Sequence, residues 1–123
     1  MAATGFFEWK AVARLRHPYR IAMKGGAPFA LAGLWERWQP GGGPVIETFA
    51  IITTTANAIV APIHDRMPAI IDRADYDAWL ESTDVITARA LLHPFAAENM
   101  SAHPVSTRVN NPQNDDPGCI APE

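Results

Sequence analysis

Cysteine is almost absent from this chain: Cys119 is the only one. That excludes an internal disulfide and a cysteine-rich metal site, and makes a cytosolic compartment the default. Long apolar runs are missing too. None approaches the roughly 20 residues that a membrane-crossing helix needs. The opening MAATGFFEWKA has no basic stretch ahead of a long apolar one, so no signal peptide is visible. The chain has no internal repeat and no Gly-x-Ser-x-Gly elbow. Its one glycine run, Gly41-Gly42-Gly43, lies between strand-like segments rather than between a strand and a helix, so it does not mark a nucleotide site. The four histidines, at 17, 64, 93 and 103, have no metal-ligand spacing. No metal and no cofactor are expected.

What is present describes one globular domain. With 123 residues, 48% hydrophobic content and four Trp, the chain can bury about 65% of its unfolded surface around one core. Net charge is −3, mildly against a nucleic-acid partner, but the charge is unevenly spread. Residues 1–66 carry seven Lys/Arg against four Asp/Glu; residues 67–123 carry three against nine. A basic face beside an acidic half is compatible with a polyanion on one side.

The apolar pattern predicts an α+β fold with a mostly antiparallel, barrel-like arrangement of strands and two or three short helices. Gly5–Trp9 ends a strand, Lys10–Pro18 reads as a loop, and Tyr19–Met23 as a second strand. Phe29–Trp38 and Val45–Thr53 read as a hairpin around a Gly/Pro tip. Asn57–Ala61 reads as one helical turn capped by Asn57, and Met67–Ile71 as a strand. Helices are expected over Asp72–Leu80, with Asp72 as cap, and Asp84–Leu91, both packing apolar faces on the core. Val105–Val109 reads as a last strand, followed by a turn-rich, flexible tail from about residue 110. Trp35 and Trp38 suit either base stacking or hairpin packing, and packing is favoured.

Two features carry chemistry. Glu8 is a lone carboxylate among apolar and aromatic neighbours, where desolvation raises its pKa. The stretch Thr53–Pro68, TTTANAIVAPIHDRMP, gathers hydroxyls, the His64 imidazole and the Arg66 guanidinium between two apolar segments. A carboxylate of raised pKa and an imidazole make a workable acid–base pair near neutral pH. A loop His followed at i+2 by Arg suits an anion such as phosphate. Against this stand blander readings: Glu8 as a wet edge-strand residue, and His64 as a capping or core-bonded histidine. Cys119, in a Pro/Asp/Gly tail, reads as an inert thiol. From the residues alone, no reaction is assignable.

At GFFEWK, PFALAGLWERW, ETFAIITTTAN and IHDRMP, in that order, the chain resembles the SRAP family (SOS response-associated peptidase, also abasic site processing protein). DRADYDAWL and VSTRVNNPQNDDPGCI extend the likeness over nearly the whole chain. The resemblance implies an SOS- and DNA-damage-linked protein, cytoplasmic at the nucleoid, whose partner is single-stranded DNA containing abasic sites. It implies a covalent protein–DNA linkage: the amine and thiol of a cysteine after the initiator Met condense with the sugar aldehyde to a thiazolidine. Glu8 is then implied in sugar opening and proton transfer, and His64 in Schiff-base chemistry and crosslink reversal. Arg66 and Thr53 would contact the DNA backbone, and Trp9 would flank it.

The departure is at the start. The family opens Met-Cys-Gly-Arg with a long segment before its GF-aromatic-EW motif, whereas Met1 here stands four residues before Gly5 and is followed by Ala2. The chain therefore reads as the C-terminal part of the domain, lacking the nucleophile and inactive in crosslinking alone. Exposed sheet edges are expected to drive self-association. The alternatives are a non-catalytic single-stranded DNA-binding module, or an inactive remnant.

Overall fold

The computed structural model describes all 123 residues. A two-residue strand, β1 (Ala2–Ala3), precedes a long hairpin of β2 (Phe6–Val12) and β3 (Leu15–Met23). After a Gly-rich turn, β4 (Phe29–Leu31) leads into β5 (Gly33–Trp38), and a Pro/Gly loop joins that strand to β6 (Ile46–Ile51). The strand β7 (Thr53–Thr55) follows at once. Turns over 57–64 then lead to β8 (Arg66–Pro68) and β9 (Ile70–Ile71). Two short helices, α1 (Tyr76–Glu81) and α2 (Val85–Ala90), come before β10 (Met100–Pro104).

The class is α+β as expected, and every strand pairing is antiparallel. The strands do not form a barrel-like wall. They make four small sheets, in the orders β1-β4-β9, β10-β3-β2, β5-β6 and β7-β8. The cause is one backbone junction. Ala32 donates its N–H to Ala69 O (2.8 Å), Ala69 to Ile52 O (2.9 Å) and Ile52 to Ala32 O (3.0 Å). Each of the three long runs expected as a single strand, 29–38, 45–53 and 67–71, changes partner at this ring and is broken there. Ala32 and Ala69 have no exposure at all, which is why small side chains occupy the crossing.

The expected loop at Lys10–Pro18 is instead the body of the β2–β3 hairpin, paired from Phe6↔Ile21 out to Val12↔Leu15. Its turn is only Ala13–Arg14, with Ala13 at φ 54. Neither Gly nor Asn marks that turn, so the usual hairpin signal is missing. The expected last strand fails as well. Only Val105 bridges, to Pro122, while Ser106 takes the Arg108 N–H on its hydroxyl and turns the chain into a 3₁₀ segment at Thr107–Asn110. Asp72 makes no side-chain cap, whereas Asp84 accepts from the Ile86 and Thr87 N–H groups at the start of α2. Those bonds, led by the Thr87 hydroxyl, lower the Asp84 pKa.

The core lies between the β10-β3-β2 sheet and the 53–71 segment. Ile21, Phe29, Leu31, Val60, Met67, Ile70 and Met100 form it, with Phe6, Tyr19 and Ile63 packed at its margin. Trp79 packs beside Ala32, Ala69 and Ile71 as expected, but Leu80, Val85 and Ile86 face solvent. No helix is long and apolar enough to cross a membrane.

Candidate active site

Glu8 is positioned by β2. A Cβ at Gly5 would stand 2.9 Å from Ile21 O, so the glycine of GFFEW lets the chain enter the hairpin close against β3. Alternation along the strand then puts Phe6 into the core and Glu8 at its rim, opposite Tyr19. Glu8 is half-buried. Burial raises its pKa above the usual 4.5, while the His64 charge and the Trp9 backbone N–H partly offset the rise.

His64 stands on the facing wall. Asn57, buried, builds that wall: its Oδ1 accepts from the N–H groups of Ile59 and Val60 at 3.1 Å each, and its Nδ2 donates to Phe95 O at 2.7 Å. The His64 N–H then bonds Val60 O at 3.0 Å and closes the turn. The ring accepts the Arg66 N–H on Nδ1 at 3.0 Å, which requires a lone pair there and leaves the proton of neutral imidazole on Nε2. When the ring is doubly protonated, Nδ1 has two acceptors in reach, Arg66 O at 3.2 Å and Asp65 Oδ1 at 3.3 Å. Both ring states are thus supported. No ion pair joins Glu8 to His64 directly, but the two are near enough for the His64 charge to act on the Glu8 carboxyl.

Arg66 lies opposite Thr55 and reaches diagonally to Thr53. Its Nη2 donates to Thr53 O (2.7 Å) and Oγ1 (3.0 Å), and its Nε to the same hydroxyl (3.3 Å). Of the five guanidinium N–H groups, the two on Nη1 remain for an anion. Thr54, between the exposed Thr53 and Thr55, is half-buried opposite the core residue Met67.

The structure therefore brings together Glu8, His64, Thr53 and Arg66. Trp9 is set apart: it projects from the opposite face of β2 to Glu8, and its Nε1 donates to Asn110 Oδ1 at 2.7 Å. It lines a hollow with Arg16, Val109, Asn110 and Pro112. Sequence reading missed Asn110, which no motif marks, and Asp65, whose place next to His64 was a usable signal. An apolar hollow between Met1, Gly33, Leu34, Trp35, Phe49 and Ile51 contains no titratable side chain and lies outside this cluster. No group of three or more His, Cys, Asp or Glu is gathered anywhere in the structure. Cys119 is buried, its thiol against Asn114 O at 3.6 Å.

The fold is thus an antiparallel α+β domain with a half-buried carboxylate, an imidazole and a tethered arginine gathered at one place. The chain belongs to the SRAP family: the model of that family, described as SOS response associated peptidase, matches residues 1–112. It is 40% identical over 121 residues to the abasic site processing protein YoqW of Bacillus subtilis, covering 96% of this chain and 54% of that one. It is 35% identical over 140 residues to the abasic site processing protein HMCES of Gallus gallus, covering 98% and 42%. A solved structure of a Bacteroides thetaiotaomicron protein superposes with a TM-score of 0.89 at 32% identity, over 100% of this chain and 55% of the other. The chain thus spans about half the length of the curated relatives it matches.

Proposed function

We propose that this chain carries the proton-transfer half of an abasic-site processing domain, acting on the sugar of an abasic site in single-stranded DNA. The observation that carries the reading is the electrostatically coupled Glu8–His64 pair, with the two spare N–H groups of Arg66 beside His64. Relatives named abasic site processing proteins, at 35–40% identity, support it. An abasic deoxyribose is a cyclic hemiacetal in equilibrium with an open aldehyde. Glu8, a stronger base for its raised pKa, takes the proton of the C1 hydroxyl. His64 Nε2–H gives a proton to the ring oxygen. The C1–O ring bond breaks as C1=O forms, no atom is lost, and solvent restores both groups. Arg66, steadied by Thr53, holds a neighbouring phosphate, whereas Trp9, tied to Asn110 on the opposite face of β2, stays clear of the reacting sugar. The partner sets the place of work at the nucleoid.

Covalent capture of the aldehyde as a thiazolidine needs an amine and a thiol on one residue. Cys119 does not offer them, because its nitrogen is an amide and its thiol is buried. The chain alone is therefore expected to open the sugar without crosslinking to it.

The test is the rate at which an alkoxyamine traps the aldehyde of an abasic single-stranded oligonucleotide. The chain should accelerate trapping, and Glu8→Gln and His64→Gln should each remove about 10²-fold of the effect. Acceleration that survives the double variant overturns the proposal. Salt-sensitive binding that Arg66→Ala weakens, with no acceleration, would instead establish a single-strand binding module.

A further inference from the structure

The surplus of positive charge in the first half of the chain is not used up by this site. From residue 9 to residue 35 there are five Lys/Arg and no Asp or Glu, in a chain whose net charge is −3. Four of the five sit on the β2–β3 hairpin: Lys10, Arg14, Arg16 and Arg20, the last donating to Thr4 O at 3.0 Å. None of the four has an acidic partner: the ion pairs of the molecule are Arg37–Glu47, His64–Asp65 and Arg108–Asp116. A charged surface present only for solubility would mix both signs. Outward of Glu8, this arm carries one.

The register says where that charge points. Lys10 pairs with His17 one step out from the Glu8–Tyr19 pair, on the same face of the hairpin. Two residues along a strand advance about 6.7 Å. A chain molecule whose reacting group lies between Glu8 and His64, and which continues outward along β2, must pass over Lys10 and His17. Arg16 pairs with Ala11 and belongs to the opposite face, in the hollow beside Trp9.

We propose that this face of the β2–β3 arm is a phosphate track, in which Lys10, with His17 opposite it, holds a backbone phosphate flanking the reacting sugar. Arg66 grips the strand from the His64 wall and Lys10 grips it from the Glu8 wall, so the sugar is fixed from both sides. The partner is single-stranded DNA, and the proposal rests on the function proposed above. Lys10 is a positioning residue: it raises occupancy of the site and takes no part in proton transfer.

The experiment measures binding of the full chain to an abasic single-stranded oligonucleotide as salt is varied, together with the trapping rate at saturating oligonucleotide. Each phosphate contact contributes about 0.7 to the slope of log K against log salt on single strands. Lys10→Ala should lower the slope by about 0.7, raise KM and leave the saturated rate unchanged. Lys10→Arg should restore the slope, and Arg16→Ala on the reverse face should change it less than Lys10→Ala. An equal fall for Lys10→Ala and Arg16→Ala would mean a diffuse field and overturn the track. So would an unchanged slope for Lys10→Ala, or no binding by the wild type. A normal trapping rate with an unchanged slope fails this proposal alone, whereas absence of any trapping effect fails the site reading.

Discussion

The two ends of this molecule treat their aromatic residues in opposite ways. At the β2–β3 end, Phe6 meets Phe29 edge-on, with centroids 6.5 Å apart and planes at 81°, and Phe29 is buried. On the β5–β6 hairpin, Trp35 and Phe49 sit opposite one another across the strands and are 73% and 65% exposed. Leu34, Trp38 and Ile46 are exposed on the same two strands. Both regions are strand-rich and apolar, yet only the first finds cover within these 123 residues. Apolar content therefore reports the wish to be buried and not the means. A contiguous apolar surface of this kind marks an interface or an association hazard. The candidate site lies at the rim of the covered side, where Glu8 is half-buried and the backbone that carries His64 and Arg66 runs beside the core residue Met67.

Truncating a side chain on the covered side should cost the most. Met67 has no exposure and accepts the Asn57 N–H on its sulfur at 3.3 Å. Met67→Ala should lower stability by about 2–5 kcal/mol in urea unfolding. A loss under about 1 kcal/mol would show that this region is not the core that the contrast requires.

An intermediate effect is expected at the rim of that core, and it depends on pH. The folded-state pKa of Glu8 lies above the ordinary 4.5, so the folded protein holds this proton more tightly than the unfolded chain does. Its contribution is fully present below about pH 4.5 and is lost as pH rises through the folded-state value. Glu8→Gln, which stays neutral, should gain melting temperature relative to the wild type on going from pH 4 to pH 8. A difference that is flat with pH, or of the reverse slope, would place Glu8 in water and erase the distinction between rim and surface.

The smallest change in stability is expected on the open hairpin. Trp35→Thr with Phe49→Thr should move monomer stability by no more than about 0.5 kcal/mol. Sedimentation velocity over a concentration series should nevertheless show less self-association than the wild type. If the pair costs as much as Met67→Ala, the hairpin is packed in solution and the contrast fails.

The sequence was legible where local chemistry decides structure. Phe6 and Glu8 alternate as a strand demands, Asn57 caps its turn through its own side chain, and Asp84 starts α2. The four residues of the cluster came from two short stretches, and the fold brings those stretches together. What was not legible depended on distant backbone. Nothing in residues 29–38 says that Ala32 will change partners, because its partners are Ile52 and Ala69. Nothing in Ala13–Arg14 announces a turn, since alanine at positive φ is held by the pairing on either side. Trp9 was assigned a DNA contact through the resemblance alone, and alternation along β2 sets it on the face opposite Glu8.

The ring at Ala32, Ile52 and Ala69 has a mechanical meaning. A hairpin opens from its free end like a zipper, one rung at a time. Three bonds closed into a triangle among three separate passes of the chain offer no first rung, since parting any one pass strains the other two. Fraying of the β5–β6 hairpin therefore halts at Ala32 and Ile52, one residue short of Thr53, while Ala69 pins the chain directly beyond Pro68. The ring acts as a rivet between an exposed hairpin and the wall that carries His64 and Arg66, so the geometry of the candidate site is insulated from whatever the open end does.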